Sequence, residues 1–218
     1  MLKTAPARRA PAGAADDRRR PAGRAAALAL GGSTGAPDAV ASILAALADM
    51  RLPGPIFVAI HAPAQFSESL ASGYARAARR DCRIVCAPQP PVAGVVYAPG
   101  PGRHLAVRRT SLGLLVEAPQ RASSVEAAYT PSVDTLFASA AAAYGPGLVA
   151  VVLTGLGTDG CEGAARVVAA GGVVLAQSIA SCAAAHMPAA ALRAGHAVDA
   201  GAPDALARRI ADRLGARP

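Results

Sequence analysis

The sequence predicts a doubly wound α/β fold: a mostly parallel sheet with helices on both faces (three layers, α/β/α) and a small antiparallel patch. Three observations carry that prediction. The run Leu148-Val149-Ala150-Val151-Val152-Leu153 is apolar without alternation, as suits a strand buried on both faces of a parallel sheet. It passes through the glycine turn Thr154-Gly155-Leu156-Gly157-Thr158-Asp159-Gly160 into a helical pattern at Cys161-Glu162-Gly163, and strand and helix patterns alternate in this way at least four times. Composition agrees, because 53% of the 218 residues are hydrophobic but only 3% aromatic, so the core is built from the aliphatic side chains that pack helices over a sheet.

Residues 1 to 24 are Pro, Ala, Gly and Arg with no hydrophobic period and are expected to be a disordered basic tail, leaving 25 to 218 as one domain. Ala25 to Leu30 reads as the first buried strand. Gly31-Gly32-Ser33-Thr34-Gly35-Ala36-Pro37 follows, then a helix with Val40, Ile43, Leu44 and Leu47 at 3.6-residue spacing and Pro37 in its first turn. Ile56 to Ile60 is the second buried strand, with His61 at its C-terminal end and a helix from about Gln65 to Ala78. From Arg83 to Val116 the apolar runs shorten (Ile84 to Cys86, Gly94 to Ala98, His104 to Val107, Leu114 to Val116), and these are expected to form the antiparallel patch. After a loop to Thr130, Ser132 is placed to cap a helix whose Val133, Leu136, Phe137, Ala140 and Tyr144 make one apolar face. The Leu148 strand follows. Val173 to Ala176 reads as a further strand, Pro188 to Arg193 as a short helix, and Leu206, Ile210 and Leu214 as the stripe of a terminal helix.

Charge and cysteine content narrow the function classes. The net charge is +8, but residues 1 to 24 hold seven basic and two acidic residues and residues 201 to 218 four and two; between 25 and 200 there are 11 basic and 10 acidic, within one charge of neutrality. A nearly neutral folded part argues against nucleic-acid binding through a basic face. Cys82 and Cys86 have C-x3-C spacing without the paired pattern of a zinc site and read as small buried hydrophobes, and none of the four cysteines, Cys161 and Cys182 included, is expected to be a metal ligand. No apolar stretch approaches the length of a membrane span, and the N-terminus lacks a secretory pattern, so a cytoplasmic location with reduced thiols is expected.

The chemistry-bearing residues collect at strand ends. Gly31-Gly32-Ser33-Thr34-Gly35 is G-x-S-x-G between a strand and a helix, the setting in which that motif exposes a serine nucleophile; the bland alternatives are a helix N-cap or a phosphate loop. Ser33, His61 and the turn holding Asp159 each follow a buried strand, and carboxyl ends of parallel strands share one edge. A hydroxyl, an imidazole and a carboxylate there are the parts of a nucleophilic triad, with His61 taking the Ser33 proton and Asp159 orienting the ring. The Asp159 turn also matches the dinucleotide fingerprint G-x-G-x-x-G. Asp159 would repel pyrophosphate, however, and the next strand ends in Gln177-Ser178 rather than an acid for the ribose, so no cofactor is expected. In a triad the same turn offers backbone N–H groups, such as that of Leu156, to an oxyanion. In the chain order of α/β-hydrolases the base would instead be His186 or His196; His61 is preferred because it directly follows an apolar strand, while His104 and His186 are not so placed.

Seven motifs, in order over about Leu28 to Ala200, resemble the catalytic domain of the CheB-type chemotaxis protein-glutamate methylesterases. They stand here as Gly32-Ser33-Thr34-Gly35; His61 with Pro63 and Phe66; Tyr97-Ala98-Pro99-Gly100 with His104; Pro131-Ser132-Val133-Asp134; Thr154 to Gly160; Ala170-Gly171-Gly172; and His186-Met187-Pro188. The resemblance implies hydrolysis of γ-glutamyl methyl esters on receptor helices with release of methanol, often with deamidation of receptor glutamines. It places the triad on Ser33, His61 and Asp159 and an oxyanion donor at Leu156, and implies as partners methylated chemoreceptors and other chemosensory signalling proteins, without nucleic acid or membrane insertion. The chain departs from the family pattern at several points. Only the 24-residue tail stands where a receiver domain is usual, so phosphorylation control in cis is not expected. Leu156 replaces a usual Met, Ala62 the Met that commonly follows the histidine, and Tyr129-Thr130 a usual His-Arg before Pro131. Two other readings remain at this stage: a non-catalytic receptor-binding module, and a general small-ester hydrolase.

Overall fold

The structure is a computed structural model that describes residues 26–120, 130–199 and 201–218. The expected tail and residues 121–129 of the expected loop lie outside the described residues. In chain order the elements are β1 (Ala27–Gly32), α1 (Ala36–Ala46), β2 (Ile56–Ile60), α2 (Ser67–Ala78), β3 (Cys82–Val85), β4 (Val96–Pro99), β5 (Ala106–Thr110), β6 (Gly113–Glu117), α3 (Val133–Tyr144), β7 (Leu148–Val152), α4 (Cys161–Ala169), β8 (Val173–Ala176), α5 (His186–Arg193), β9 (Val198–Asp199) and α6 (Pro203–Leu214). Seven strands form one sheet in the order β3-β4-β2-β1-β7-β8-β9, and every pair in it is parallel. The chain moves outward from β1 to β2 on one side and from β7 to β8 on the other. The β1/β7 junction is therefore the topological switch point, where open α/β sheets gather ligands.

Alternation along each strand sorts the core into two layers. Leu28 and Leu30 of β1 join Ile56, Val58, Val149 and Val151 under α1, α2 and α6. Ala27 and Ala29, with Ala59, Ala150 and Val152, face α3, α4 and α5. The small residues on the second face let α3 lie close to β1. A Cβ added at Gly31 would collide with the Val133 side chain at the start of α3 and come within 3.2 Å of the Phe137 ring. On the same face aromatic rings fill the space between β2, β4 and the end of α3: Phe57 packs on Tyr97 and on Tyr144, with ring centroids 5.8 and 6.0 Å apart.

Three expectations need correction. The runs Ile84 to Cys86 and Gly94 to Ala98 were expected in the antiparallel patch, but they are β3 and β4, parallel strands at one edge of the main sheet; only β5 and β6 pair antiparallel. Strand length carries no information on direction: β4 pairs in parallel with β3 over all four of its residues and with β2 only at Ile56↔Val96 and Phe57↔Tyr97. Cys82 and Cys86 are not buried as expected, since Cys86 is exposed and Cys82 partly so. Helix α5 begins at His186 rather than Pro188, which sits in its first turn, where a missing N–H costs little.

Gly31→Ala should force α3 away from the sheet and cost about 1–3 kcal/mol through overpacking. Urea denaturation should show a lower midpoint with an unchanged slope; a wild-type midpoint would mean that the approach of α3 to β1 is loose.

Candidate active site

Ser33 follows the last residue of β1 at the switch point. Its N–H donates to Thr154 O at 2.9 Å and its carbonyl accepts from Ala36 N at 2.9 Å, so the turn into α1 is tied both to the helix it opens and to the loop after β7. That loop passes very close. A Cβ at Gly155 would lie 2.8 Å from Ser33 Cβ and would also run into Met187 Sδ, so the chain can pass here only as glycine. Thr154 fastens three loops together: its hydroxyl lies 2.9 Å from Thr34 O and 3.1 Å from Ala184 O and accepts from Ala184 N, while its own N–H donates to Gln177 Oε1 at 3.0 Å. The N–H groups of Thr34 and Leu156, on either side of this junction, have no hydrogen-bond partner among the described residues.

His61 follows β2, which pairs with β1 in the register Gly32↔Ile60, and its N–H donates to Gly32 O at 3.1 Å. Ser33 and His61 thus leave neighbouring strand ends about one strand spacing, ~4.8 Å, apart. The ring reaches across the sheet edge to Asp159, with Nε2 2.7 Å from Oδ2. Asp159 is buried. Its Oδ2 also accepts from Val133 N at 2.7 Å, and its Oδ1 accepts from Asp134 N at 2.9 Å and from the Ser132 hydroxyl at 3.2 Å. Val133 and Asp134 are the first two residues of α3. A buried carboxylate is therefore neutralised by the open amides of a helix N-terminus and by an imidazole.

These contacts set two adjacent carboxyls apart in acidity. Burial acts to raise the pKa of Asp159, but the hydrogen bond from His61 and the backbone N–H groups of Val133 and Asp134 outweigh it and hold the carboxyl below its usual range. Asp134 lies beside it, with Oδ1 2.6 Å from Gly163 N at the start of α4. Burial pushes the Asp134 carboxyl up to about 6; the Gly163 bond opposes this, and the charge of Asp159 adds to it. With Asp159 ionised and able only to accept, His61 Nε2 carries the proton and Nδ1 is the basic nitrogen, an assignment that rests on the hydrogen-bond pattern.

The structure brings Ser33, His61, Asp159 and Leu156 to one edge. His186, the rival base, is exposed at the start of α5, and the carboxylate is bonded to His61 instead. Sequence reasoning missed the residues that hold Asp159. Ser132 was expected only as a cap; it does accept from Thr135 N, but it also donates to Asp159. His104 is buried, and its Nδ1 accepts from Ser132 N at 3.0 Å. The available signal was the run Pro131-Ser132-Val133-Asp134, whose two polar side chains sit where a helix begins. No cluster of three or more His, Cys, Asp or Glu suited to a metal occurs among the described residues. Nor is any helix among them long and apolar enough to cross a membrane.

A hydroxyl, an imidazole and a buried carboxylate thus stand together at the switch point of a doubly wound α/β sheet. Comparison with known proteins is more specific. The CheB methylesterase family model matches residues 28–210. A protein-glutamate methylesterase/protein-glutamine glutaminase 3 of Anaeromyxobacter dehalogenans is 42% identical over 195 residues, covering 88% of this chain and 54% of that protein. A protein-glutamate methylesterase/protein-glutamine glutaminase 1 of Saccharophagus degradans is 36% identical over 168 residues, covering 77% of this chain and 45% of that protein. The crystal structure of the Thermotoga maritima CheB methylesterase catalytic domain superposes with a TM-score of 0.78 at 25% identity, covering 85% of this chain and 97% of that one. The chain belongs to the CheB methylesterase family, and it spans about half the length of the curated relatives it matches.

The two carboxyls should leave opposite marks on stability against pH. Asp159, held low, contributes stability above the ordinary carboxylate range and loses it as pH falls through its folded value. Asp134 is raised from 3.8 to about 6, so the native state binds its proton more tightly than the unfolded chain, and stability from this group grows as pH falls from about 6 to 4. Asp134→Asn should therefore be more stable than wild type above pH 6, with the advantage gone near pH 4. Urea midpoints measured across that range check this, and a difference constant with pH would contradict the assignment.

Proposed function

We propose that the chain is a serine esterase that removes methyl groups from γ-glutamyl methyl esters on chemoreceptors. One observation carries the reading: the buried Asp159–His61 pair at the switch point, one strand spacing from Ser33, in a chain of the CheB methylesterase family. Residues 25 to 218 are the catalytic unit in this reading.

Ser33 Oγ attacks the ester carbonyl as His61 Nδ1 takes its proton, and the imidazolium that forms is stabilised by ionised Asp159 through Nε2–H. The tetrahedral oxyanion is met by the Leu156 N–H, joined by that of Thr34, the residue after the nucleophile. His61 returns the proton to the leaving methoxide, methanol departs, and a water deprotonated by the same nitrogen releases the glutamyl carboxylate from Ser33. Side chains, backbone amides and water suffice for every step. The relatives' printed names pair methylesterase with glutaminase. Attack on a glutamine amide by the same route, with ammonia leaving, would account for the second activity in this chain. We place the protein in the cytoplasm, with receptors and other chemosensory signalling proteins as partners.

A non-catalytic binding module would have no use for a carboxylate buried against an imidazole, and a general small-ester hydrolase would turn over soluble esters far faster than receptors. Methanol release from methylated receptor membranes separates the three. Ser33→Ala and His61→Ala should each lower kcat by on the order of 10⁶, and blocking the Leu156 donor should cost roughly 10² to 10³. Equal release by wild type and Ser33→Ala would sink the esterase reading. Retained activity in His61→Ala with loss in His186→Ala would move the base to the other histidine.

A further inference from the structure

On the far side of His61 from Ser33, at the carboxyl ends of β2 and β4, lies a cavity of about 70 Å3. Its walls include Ile60 and Ala62, the residues on either side of His61, with Leu70 and Tyr74 of α2, Ala98 of β4, and Thr130. No charged side chain lines it. Two hydroxyls from its lining residues, Tyr74 OH and Thr130 Oγ1, are buried and have no hydrogen-bond partner among the described residues. Leaving a polar group unpaired in a buried place costs about 1–3 kcal/mol, so two beside one cavity call for a ligand able to satisfy them.

We propose that this cavity is a recognition pocket for an uncharged amide side chain, Gln or Asn, that the substrate carries near the scissile ester. Size, polarity and position select this occupant. The space takes roughly five non-hydrogen atoms, the size of a glutamine side chain, by the volume a buried water needs. Its apolar walls suit a methylene stem, a primary amide both donates and accepts and so can serve two hydroxyls, and the absence of a countercharge excludes Glu, Asp, Lys and Arg. The walls run from the end of β2 to the end of β4, one to two strand spacings, ~5–10 Å, from the end of β1 that carries Ser33, close to the rise of one to two helical turns. On a helical substrate the amide therefore stands one to two turns from the methylated glutamate, on the same face. The assignment of the substrate rests on the esterase reading above, whereas the pocket's chemistry is independent of it.

The experiment has two arms, both on the full chain. In the first, propionamide, which is the glutamine side chain without its backbone, is titrated into protein with 13C-labelled Val, Ile and Leu methyls. Saturable shifts are expected at Val58, Ile60 and Leu70, with none from propionate. Tyr74→Phe and Thr130→Val should each weaken binding about fivefold, the value of one hydrogen bond, and Ala62→Met should abolish it. No saturable shift, an equal response to propionate, or binding unchanged in Ala62→Met would each overturn the proposal and leave a hydrated cavity only. In the second arm, kcat/KM is measured on glutamyl methyl ester peptides with Gln or Leu at the flanking position, and on p-nitrophenyl acetate. Tyr74→Phe and Thr130→Val should lower kcat/KM on the Gln peptide alone, through KM. Equal losses on all three substrates would show a structural role and overturn the proposal. Propionamide binding without methanol release from any peptide by wild type would instead refute the esterase reading and leave the pocket standing.

Discussion

Most of the site depends on one buried anion. The Asp159 carboxylate accepts four hydrogen bonds, two from the first backbone amides of α3, one from the Ser132 hydroxyl and one from His61. Three of the four come from a single helix end, so the carboxylate can be in place only if α3 is, and α3 can lie where it does only because β1 presents Ala27, Ala29 and Gly31 to it. The small residues of the central strand are thus part of what holds the carboxylate against the imidazole. The macrodipole of α3 favours the anion in the same direction as its individual amides do.

The neighbouring Asp134 makes the arrangement asymmetric. Two carboxyls this close cannot both ionise without cost, and the surroundings decide which does. Asp159 has four donors, whereas Asp134 has the Gly163 amide and lies against the first charge. As pH falls, Asp134 therefore takes up its proton first, near 6, while the Asp159 carboxylate that orients His61 stays ionised. Asp134 also joins α3 to α4, so the helix that holds the anion is fastened to the helix that follows the anion's own loop.

What was legible in the sequence was the part written in short, strongly patterned segments. Leu28 to Leu30, Ile56 to Ile60 and Leu148 to Val152 are apolar throughout because both faces of each strand are covered, and the polar residues that follow, Ser33, His61 and Asp159, had to gather at one edge of any parallel sheet. Strand direction at the sheet's margin was not legible: β3 and β4 are four residues each, too short for a period to show, and the connection between them, residues 86–95, carries no helix to mark a parallel crossover. Nor was the support of Asp159. Ser132, Asp134 and His104 reach it through contacts between parts of the chain separated by tens of residues, which no local pattern encodes. The exposed Cys86 shows a similar limit, since composition alone cannot tell a strand's last residue from the first outside it.

Thr154 links its own loop to Thr34, 120 residues earlier in the chain, and His61 meets Asp159 across 98 residues. Contacts of such sequence separation close large loops and form late in folding, after the entropy of bringing distant segments together has been met. Ser33, His61 and Asp159 follow three different strands, β1, β2 and β7, and β7 comes well after the other two in the chain. A chain that has not yet placed β7 beside β1 therefore has no assembled site, and the arrangement arrives together with the completed centre of the sheet rather than ahead of it.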